Sequence, residues 1–254
     1  MLLAENQRTH FDNIADTWEA KGWVNSTRLN RVIQRFIKGT ERGYHLSRTK
    51  HKTLLYLGIG TGVLFQYLGN YNIAGVDEAF NMLNQCPEGI IQIRSNAENL
   101  PFLMPDQFHI GMFRNLLKHC HEPQKAVSAL YQKIRPDYGV TAFESVVYDE
   151  KDKEIPTRLV RMTDPDHPSF LSIDDVVALF KDAGFRDIHY ELMPFRDRWL
   201  EKWVRAEKAD PKMKDEIIAM YKKNKDFQRK YDVAFGRDDI TSTVPWMMIR
   251  ATKR

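Results

Sequence analysis

The chain predicts an α/β fold in which parallel strands alternate with helices, and three observations carry that prediction. An apolar run, Leu54 to Leu57, reads as a buried parallel strand. It meets Gly58, Gly60 and Gly62, after which Val63, Leu64, Tyr67 and Leu68 return at helical spacing. A second short apolar run begins at Ile73 and ends on a carboxylate, Asp77, 19 residues beyond Gly58. From there strand-like and helix-like stretches alternate along the chain, as βαβ units require.

The strand, glycine turn and helix start form a ligand-binding corner. Glycines let the backbone pass close to a ligand, and the first N–H groups of a helix point outward. A dinucleotide cradle needs Gly or Ala at the sixth position of G-x-G-x-x-G. Val63 stands there, which disfavours a pyrophosphate ligand. In two adjacent parallel strands Asp77 falls beside the corner, where a carboxylate can accept both hydroxyl protons of a ribose. Without such partners its burial would be costly.

At 254 residues, with 43% hydrophobic and 28% charged residues, the chain suits one α/β domain with additions. A net charge of +4 does not demand nucleic acid. Two cysteines, Cys86 and Cys120, make no disulfide framework. Met1 to His10 lacks an apolar leader core and no run reaches membrane-spanning length. These features together predict a cytoplasmic protein with reduced thiols.

The first 52 residues read as helical and basic. Phe11, Ile14, Ala15 and Trp18 fall at helical spacing, and Leu29, Val32, Ile33, Phe36 and Ile37 form one apolar stripe. Arg28, Arg31, Arg35 and Lys38 share the opposite side as a solvated face, Gly39 is the expected stop, and a polar linker follows to Lys52. Ile90 to Arg94 is a third strand, Phe108 to Phe113 a fourth and Val140 to Val147 a fifth. Pro123 opens a helix whose buried stripe is Ala126, Val127, Leu130, Tyr131 and Ile134. Ser172 with Asp175 reads as a capping box. A sixth strand follows Phe185 and runs to about Met193, and the last spans Val244 to Ala251. Between these two lies a charged, aromatic insert in which Asp210-Pro211 starts a helix with Met213, Ile217, Met220 and Tyr221 as its apolar side. A surface helical pair, a substrate lid and a dimer contact all fit that composition.

The G-x-G-x-G spacing resembles motif I of the class I S-adenosylmethionine (SAM)-dependent methyltransferases. Phe11-Asp-Asn-Ile-Ala-Asp-Thr-Trp18 is similar to the N-terminal entry of the small-molecule, ubiquinone/menaquinone-biosynthesis type. Ser95-Asn-Ala-Glu-Asn-Leu-Pro-Phe102 resembles the family's "DAExLPF" segment, and Phe108 to Pro123 its "FDxVxxxxVLHHxxxP". The resemblance implies a Rossmann-like seven-stranded sheet of order 3-2-1-4-5-7-6, with strand seven antiparallel. It also implies an N-terminal helical cap (1–52), a SAM-binding core (53–194), a helical insert (195–241) and a final core strand (242–254).

The implied activity is transfer of a methyl group from SAM, leaving S-adenosylhomocysteine (SAH), to an O, N or C atom of a small organic acceptor. The alternative is a methyltransferase-like module that binds SAM, SAH or a partner without transferring methyl. Nucleic acid and membrane are not expected partners, and a homodimer through the insert stays open. By resemblance the cofactor would meet Trp18, Tyr56, Gly58, Gly60, Thr61, Gly62, Asp77, Glu78, Met82, Asn96, Ala97, Glu98, Arg114 and Asn115. Lys21 and Trp23 join Trp18 as candidates for a lid or for plain packing. His119 is the candidate general base and Arg114 the candidate acceptor ligand, with Glu144 and Tyr148 as further pocket candidates. His119-Cys-His121 makes no metal site, because residues two apart diverge on a helix.

Three positions depart from the family pattern. Tyr56 stands where an acid usually holds the methionine ammonium, Asn96 replaces the adenine-binding acid, and His109 replaces the strand-four acid. His109 is expected at an edge or surface.

Overall fold

A computed structural model describes residues 10–44, 46, 49–69 and 71–254. The expectation of a leader-free start falls largely on residues 1–9, and part of the expected linker on 45, 47 and 48, outside those described. The strands are β1 (Lys52–Leu57), β2 (Tyr71–Asp77), β3 (Ile90–Arg94), β4 (Phe108–Arg114), β5 (Ile134–Ser145), β6 (Arg186–Arg198), β7 (Ala234–Phe235) and β8 (Ile240–Thr252). They form one sheet of order β3-β2-β1-β4-β5-β8-β6, with the two-residue β7 on the side of β8. The first five strands run parallel, while β8 is antiparallel to both β5 and β6. With β8 as the seventh strand of the expected sheet, this is the order and polarity the resemblance implies. The sheet is a mixed α/β, Rossmann-like one.

Alternation along β1 divides the core. Leu55 and Leu57 face one side with Phe113, Val127, Phe180 and Met247. Leu54 and Tyr56 face the other with Leu29, Ile33, Phe143 and Trp246. Helix α1 (Thr27–Gly43) covers that second face, its start capped by Ser26 Oγ accepting from Leu29 N. It runs one turn past the expected stop at Gly39. A glycine costs only about 1 kcal/mol inside a helix, and the continued turn buries Thr40, whose hydroxyl donates to Phe36 O. Arg28, Arg31, Arg35 and Lys38 are exposed, as read.

Between strands lie α2 (Phe65–Leu68), α3 (Phe80–Leu83), α4 (Pro123–Lys133), α5 (Glu154–Val160) and α6 (Ile173–Asp182). The Ser172–Asp175 capping box is present in both directions. The fifth strand begins before the expected Val140: residues 135–139 form the irregular start of β5, where the register to β4 shifts between Phe108 and Ile110.

The paired β6 and β8 extend beyond the rest of the sheet, and the insert sits at the tip of that ribbon. It contains α7 (Leu200–Ala206), α8 (Met213–Lys223) and α9 (Lys225–Lys230). Trp203, Ile217, Tyr221, Phe227 and Tyr231 pack there with Ile155 and Leu159 of α5 in a third hydrophobic cluster. No helix among the described residues is long and apolar enough to cross a membrane.

Candidate functional site

Two adjoining hollows open at the C-terminal ends of the parallel strands, where such sheets bind ligands. The first, with about 870 Å³ of empty space, lies over the glycine corner. All three corner glycines have left-handed backbone, with φ of +62° at Gly58, +57° at Gly60 and +71° at Gly62. They differ in what a side chain would meet. A Cβ on Gly58 would lie 2.8 Å from Leu116 Cδ1, and one on Gly62 2.8 Å from Pro87 Cδ. On Gly60 it would meet only Trp18 Nε1, at 3.8 Å. Gly60 is therefore the glycine that bares backbone to the cleft, and the other two allow close packing.

Asp77 straps the corner to β2. Its Oδ2 accepts from Gly60 N at 2.8 Å and its Oδ1 from Ala79 N at 3.0 Å. Burial raises its carboxyl above the ordinary value, and the Ala79 and Gly60 amides pull against that rise. Each oxygen keeps a second lone pair for a ligand hydroxyl. Glu78, Met82, Asn96, Ala97, Glu98, Arg114 and Asn115 also line this cleft, as do Trp18 and Gly58. Asn96 Oδ1 accepts from Glu98 N at 2.6 Å, and Glu98 Oε1 from Glu122 N at 3.2 Å. The adenine-side loop is thus folded on itself. An open glycine backbone, a buried carboxylate one strand over and an amide loop beyond fit the corner, sugar and base of a nucleoside in that order.

Several sequence expectations need correction. Tyr56 does not line the cleft: it is 3% exposed and packs in the core face beneath α1, where burial pushes its phenol up. Thr61 is also buried and donates to Glu19 Oε1 at 3.1 Å, tethering the Trp18–Ala20 turn to the corner. Gly62 faces Cys86 and Pro87. Arg114 borders the cofactor cleft but presents no fork to an acceptor. Its guanidinium is buried over the rings of Trp23 and Trp246 and donates to Trp23 O. Its Nε and Nη1 find no partner, and burial lowers it to about 10.

Glu144 sits below the site, where Oε1 accepts from Leu116 N and Leu117 N and so fixes the turn after β4. Tyr148 borders neither hollow, and its amide N donates to the hydroxyl of Tyr231 on the insert. His109 is not at an edge. It is 5% exposed, bonded to Thr53 and Arg135 at the far end of the sheet. No metal-holding group of His, Cys, Asp and Glu is present among the described residues. Cys120 is buried and its thiol is pushed well up by that burial, which disfavours a thiolate.

The second hollow is larger, with about 1310 Å³ of empty space. Phe11, Trp18, Asn115 and His119 border both hollows. Its far wall comes from the insert: Trp199, Trp203, Tyr221, Phe227 and Tyr231. Its roof is held by charge. Glu207, on the insert, pairs with Lys21 at 2.5 Å and with His10 at 2.9 Å on the N-terminal segment. Thr17 Oγ1 donates to Ala206 O at 2.8 Å beside them. Beneath, Lys118 Nζ donates to Ser145 Oγ, whose hydroxyl donates to Asn115 Oδ1, each at 2.8 Å. Asn115 holds this with left-handed backbone, φ +55°.

Comparison with known proteins agrees with this geometry. Residues 55–140 match the family described as "Methyltransferase domain". The matched stretch runs from β1 into β5 and so contains the glycine corner, Asp77 and the strand ends that frame the first hollow. No curated protein matches the sequence. Among solved structures, YcgJ of Bacillus subtilis superposes with a TM-score of 0.77 at 18% identity, covering 87% of this chain and 97% of its own. Phosphoethanolamine N-methyltransferase 2 of Haemonchus contortus, solved with S-adenosyl-L-methionine, gives 0.59 at 17% identity, over 95% of this chain and 57% of its own. The [4+2]-cyclase SpnF gives 0.58 at 15% identity, over 89% and 81%.

Two features of the site were not read from the sequence. His167 lies in an irregular loop with no periodicity to flag it, and the Glu207 clasp joins segments nearly 200 positions apart. No local signal could have shown either.

Proposed function

We propose that the protein is a SAM-dependent methyltransferase whose acceptor is a small, largely apolar organic molecule. SAM would bind in the cleft over Gly60 and Asp77, and the acceptor in the hollow roofed by the insert. The observation that carries this reading is the shared wall: two hollows, one suited to a nucleoside and one lined by aromatic rings, meet at Phe11, Trp18, Asn115 and His119. When bound, the cofactor supplies an activated methyl on a sulfonium. The chain's own part is to align the two reactants, keep water out and accept a proton. The similarity of Phe11–Trp18 to the ubiquinone/menaquinone-type entry supports a small-molecule acceptor.

On this reading the chain divides as cap (to 52), core (53–194), insert (195–241) and final strand (242–254). The insert serves as a lid, because its aromatic residues border the hollow of their own chain. Similarity to a cyclase cautions that this fold hosts other chemistry. A second reading, a ligand-binding module without transfer, draws on Tyr56 being buried where an acid would hold the methionine ammonium.

Isothermal titration with SAM and SAH decides the first point. Binding of either supports the reading, and no binding of both at millimolar concentration overturns it. Bound cofactor with no methyl transfer across a broad acceptor panel favours the second reading.

A further inference from the structure

His119 and His167 meet at the junction of the hollows, with rings 4.8 Å apart and nearly perpendicular. Their hydrogen bonds fix which nitrogen carries each proton. His167 Nδ1 lies 2.6 Å from Pro168 O, and a carbonyl only accepts, so this nitrogen holds a hydrogen. A neutral imidazole has one donor and one acceptor, so His167 Nε2 is a bare lone pair. It lies 3.0 Å from His119 Nδ1, which must then be the donor. By the same rule His119 Nε2 is left unprotonated. No described residue hydrogen-bonds that nitrogen, and His119 borders both hollows. We propose that His167 is a positioning residue that locks His119 in the Nδ1–H tautomer, presenting Nε2 as a general base to the hydroxyl of a phenol-like acceptor. This rests on the methyltransferase reading for its second reactant.

The surroundings support the assignment. His167 is held on three sides: 2% exposed, stacked on Phe170, and with its carbonyl bonded to Arg161 Nε at 2.8 Å. Phe11 sets its ring edgewise on His119 at 5.1 Å. Burial lowers both imidazoles, His167 to about 4 and His119 well below the ordinary value. His167, Lys118, Lys21 and His10 push His119 the same way. Both rings are therefore neutral at pH 7, as the tautomer chain requires.

Those ammonium groups also select the acceptor. Lys118 and Lys21 disfavour a cationic amine beside His119 and favour a group that becomes anionic as it reacts. Two of the carboxylates that border the hollow are paired, Glu207 with Lys21 and His10 and Asp197 with Lys202, while Glu144, which acts on Lys118 from below, accepts from Leu116 N and Leu117 N. Asp164 also borders the hollow, and burial raises its carboxyl toward the neutral form.

The step balances. His119 Nε2 takes the hydroxyl proton, and the oxygen lone pair forms the new C–O bond to the methyl carbon. The C–S bond breaks with its electrons left on sulfur, so sulfonium becomes thioether and the proton rests on His119 as imidazolium.

Nitrogen NMR of histidine-labelled full-length protein tests the tautomer without any substrate. The expected result is the Nδ1–H pattern for both His119 and His167 at pH 7. His167→Leu should shift His119 toward the Nε2–H form, while His167→Gln, whose amide can both accept from His119 and donate to Pro168, should keep it. An Nε2–H or imidazolium His119 in the wild type overturns the proposal, and so does a His119 pattern unchanged in His167→Leu. 4-Nitrophenol tests the hydroxyl site. With SAH present it should bind the wild-type protein, and at least tenfold more weakly the His119→Leu variant, which has lost the acceptor for its hydroxyl. No binding to the wild type, or equal binding to both, overturns the acceptor assignment. SAM titration of the same samples separates the two readings: binding with the wrong tautomer sinks only this proposal, and the right tautomer without binding sinks the methyltransferase reading.

Discussion

The indole nitrogen of Trp18 stands 3.8 Å from the point where a side chain on Gly60 would begin. The N-terminal segment thus closes directly over the corner glycine that has open space above its α-carbon on the cleft side. Gly60→Ala should act twice. At φ +57° an alanine costs about 1–2 kcal/mol of backbone strain, and its methyl enters the space a ligand would use. We expect a lowered melting temperature together with weakened SAH binding by titration. Gly69→Ala is the control, since Gly69 is also left-handed, at φ +56°, with nothing within 4 Å. It should destabilise without changing SAH affinity. If both variants bind SAH as the wild type does, Gly60 is not at the ligand.

Asp77 offers a sharper test of the sugar contact. Asp77→Ala removes the acceptor for Gly60 N and Ala79 N as well as any ligand bond, and should weaken SAH binding by about 1–3 kcal/mol with some loss of stability. Asp77→Asn separates the two effects. Its amide oxygen can keep one backbone bond, but it cannot accept at both ends as the carboxylate does. We expect stability nearer the wild type with affinity still reduced. Calorimetric titration beside thermal denaturation reads both quantities, and unaltered affinity in both variants sinks the sugar contact.

How much of this was legible beforehand follows from the range of each interaction. The Ser172–Asp175 box and Asp77 at the end of β2 were readable because caps, periodicity and spacing act over a few residues, whereas the strand order came only with the family resemblance. Ile90–Arg94 falls where the sequence placed it. His109 was misplaced because every residue of β4 is buried, so the strand shows no alternation to say which positions face solvent. Thr61, Gly62 and Tyr56 were carried to the ligand by motif resemblance. Their neighbours Glu19, Pro87 and the α1 face are tertiary facts that no motif encodes. The insert was legible as helical and aromatic, but not as a wall. Its contacts with Tyr148, Asp152 and His10 cross the chain.

Tyr231 fastens that wall to the core. Its hydroxyl donates to Asp152 Oδ2 at 2.9 Å and accepts from Tyr148 N at 3.0 Å, while its ring stacks on Phe227 at 4.1 Å. Tyr231→Phe keeps the stack and removes both bonds, leaving the Tyr148 amide without its partner. We expect a loss of about 1–3 kcal/mol in urea denaturation. SAH affinity should hold, because Tyr231 borders only the acceptor hollow. A stability equal to the wild type would show that the insert is held in some other way.

The last prediction concerns the roof. Burial alone would raise the Glu207 carboxyl, but Lys21 and His10 outweigh it and hold the group near 2, against an ordinary 4.5. A carboxyl depressed in the folded state contributes stability that is present above its unfolded value and lost as pH falls through the folded one. The window is therefore from about 4.5 down to 2, and a displacement of that size is worth on the order of 3 kcal/mol at neutral pH. Urea denaturation at pH 7, 4.5 and 3 should show the wild type losing stability most steeply between the last two. Glu207→Gln should be less stable at pH 7 and follow a flatter course below 4.5, since it has no proton to take up there. Because Glu207 joins the insert to the N-terminal segment, the same variant should speed proteolytic cleavage near Lys21 at neutral pH. Parallel acid profiles for the two proteins would mean that the clasp contributes nothing to stability.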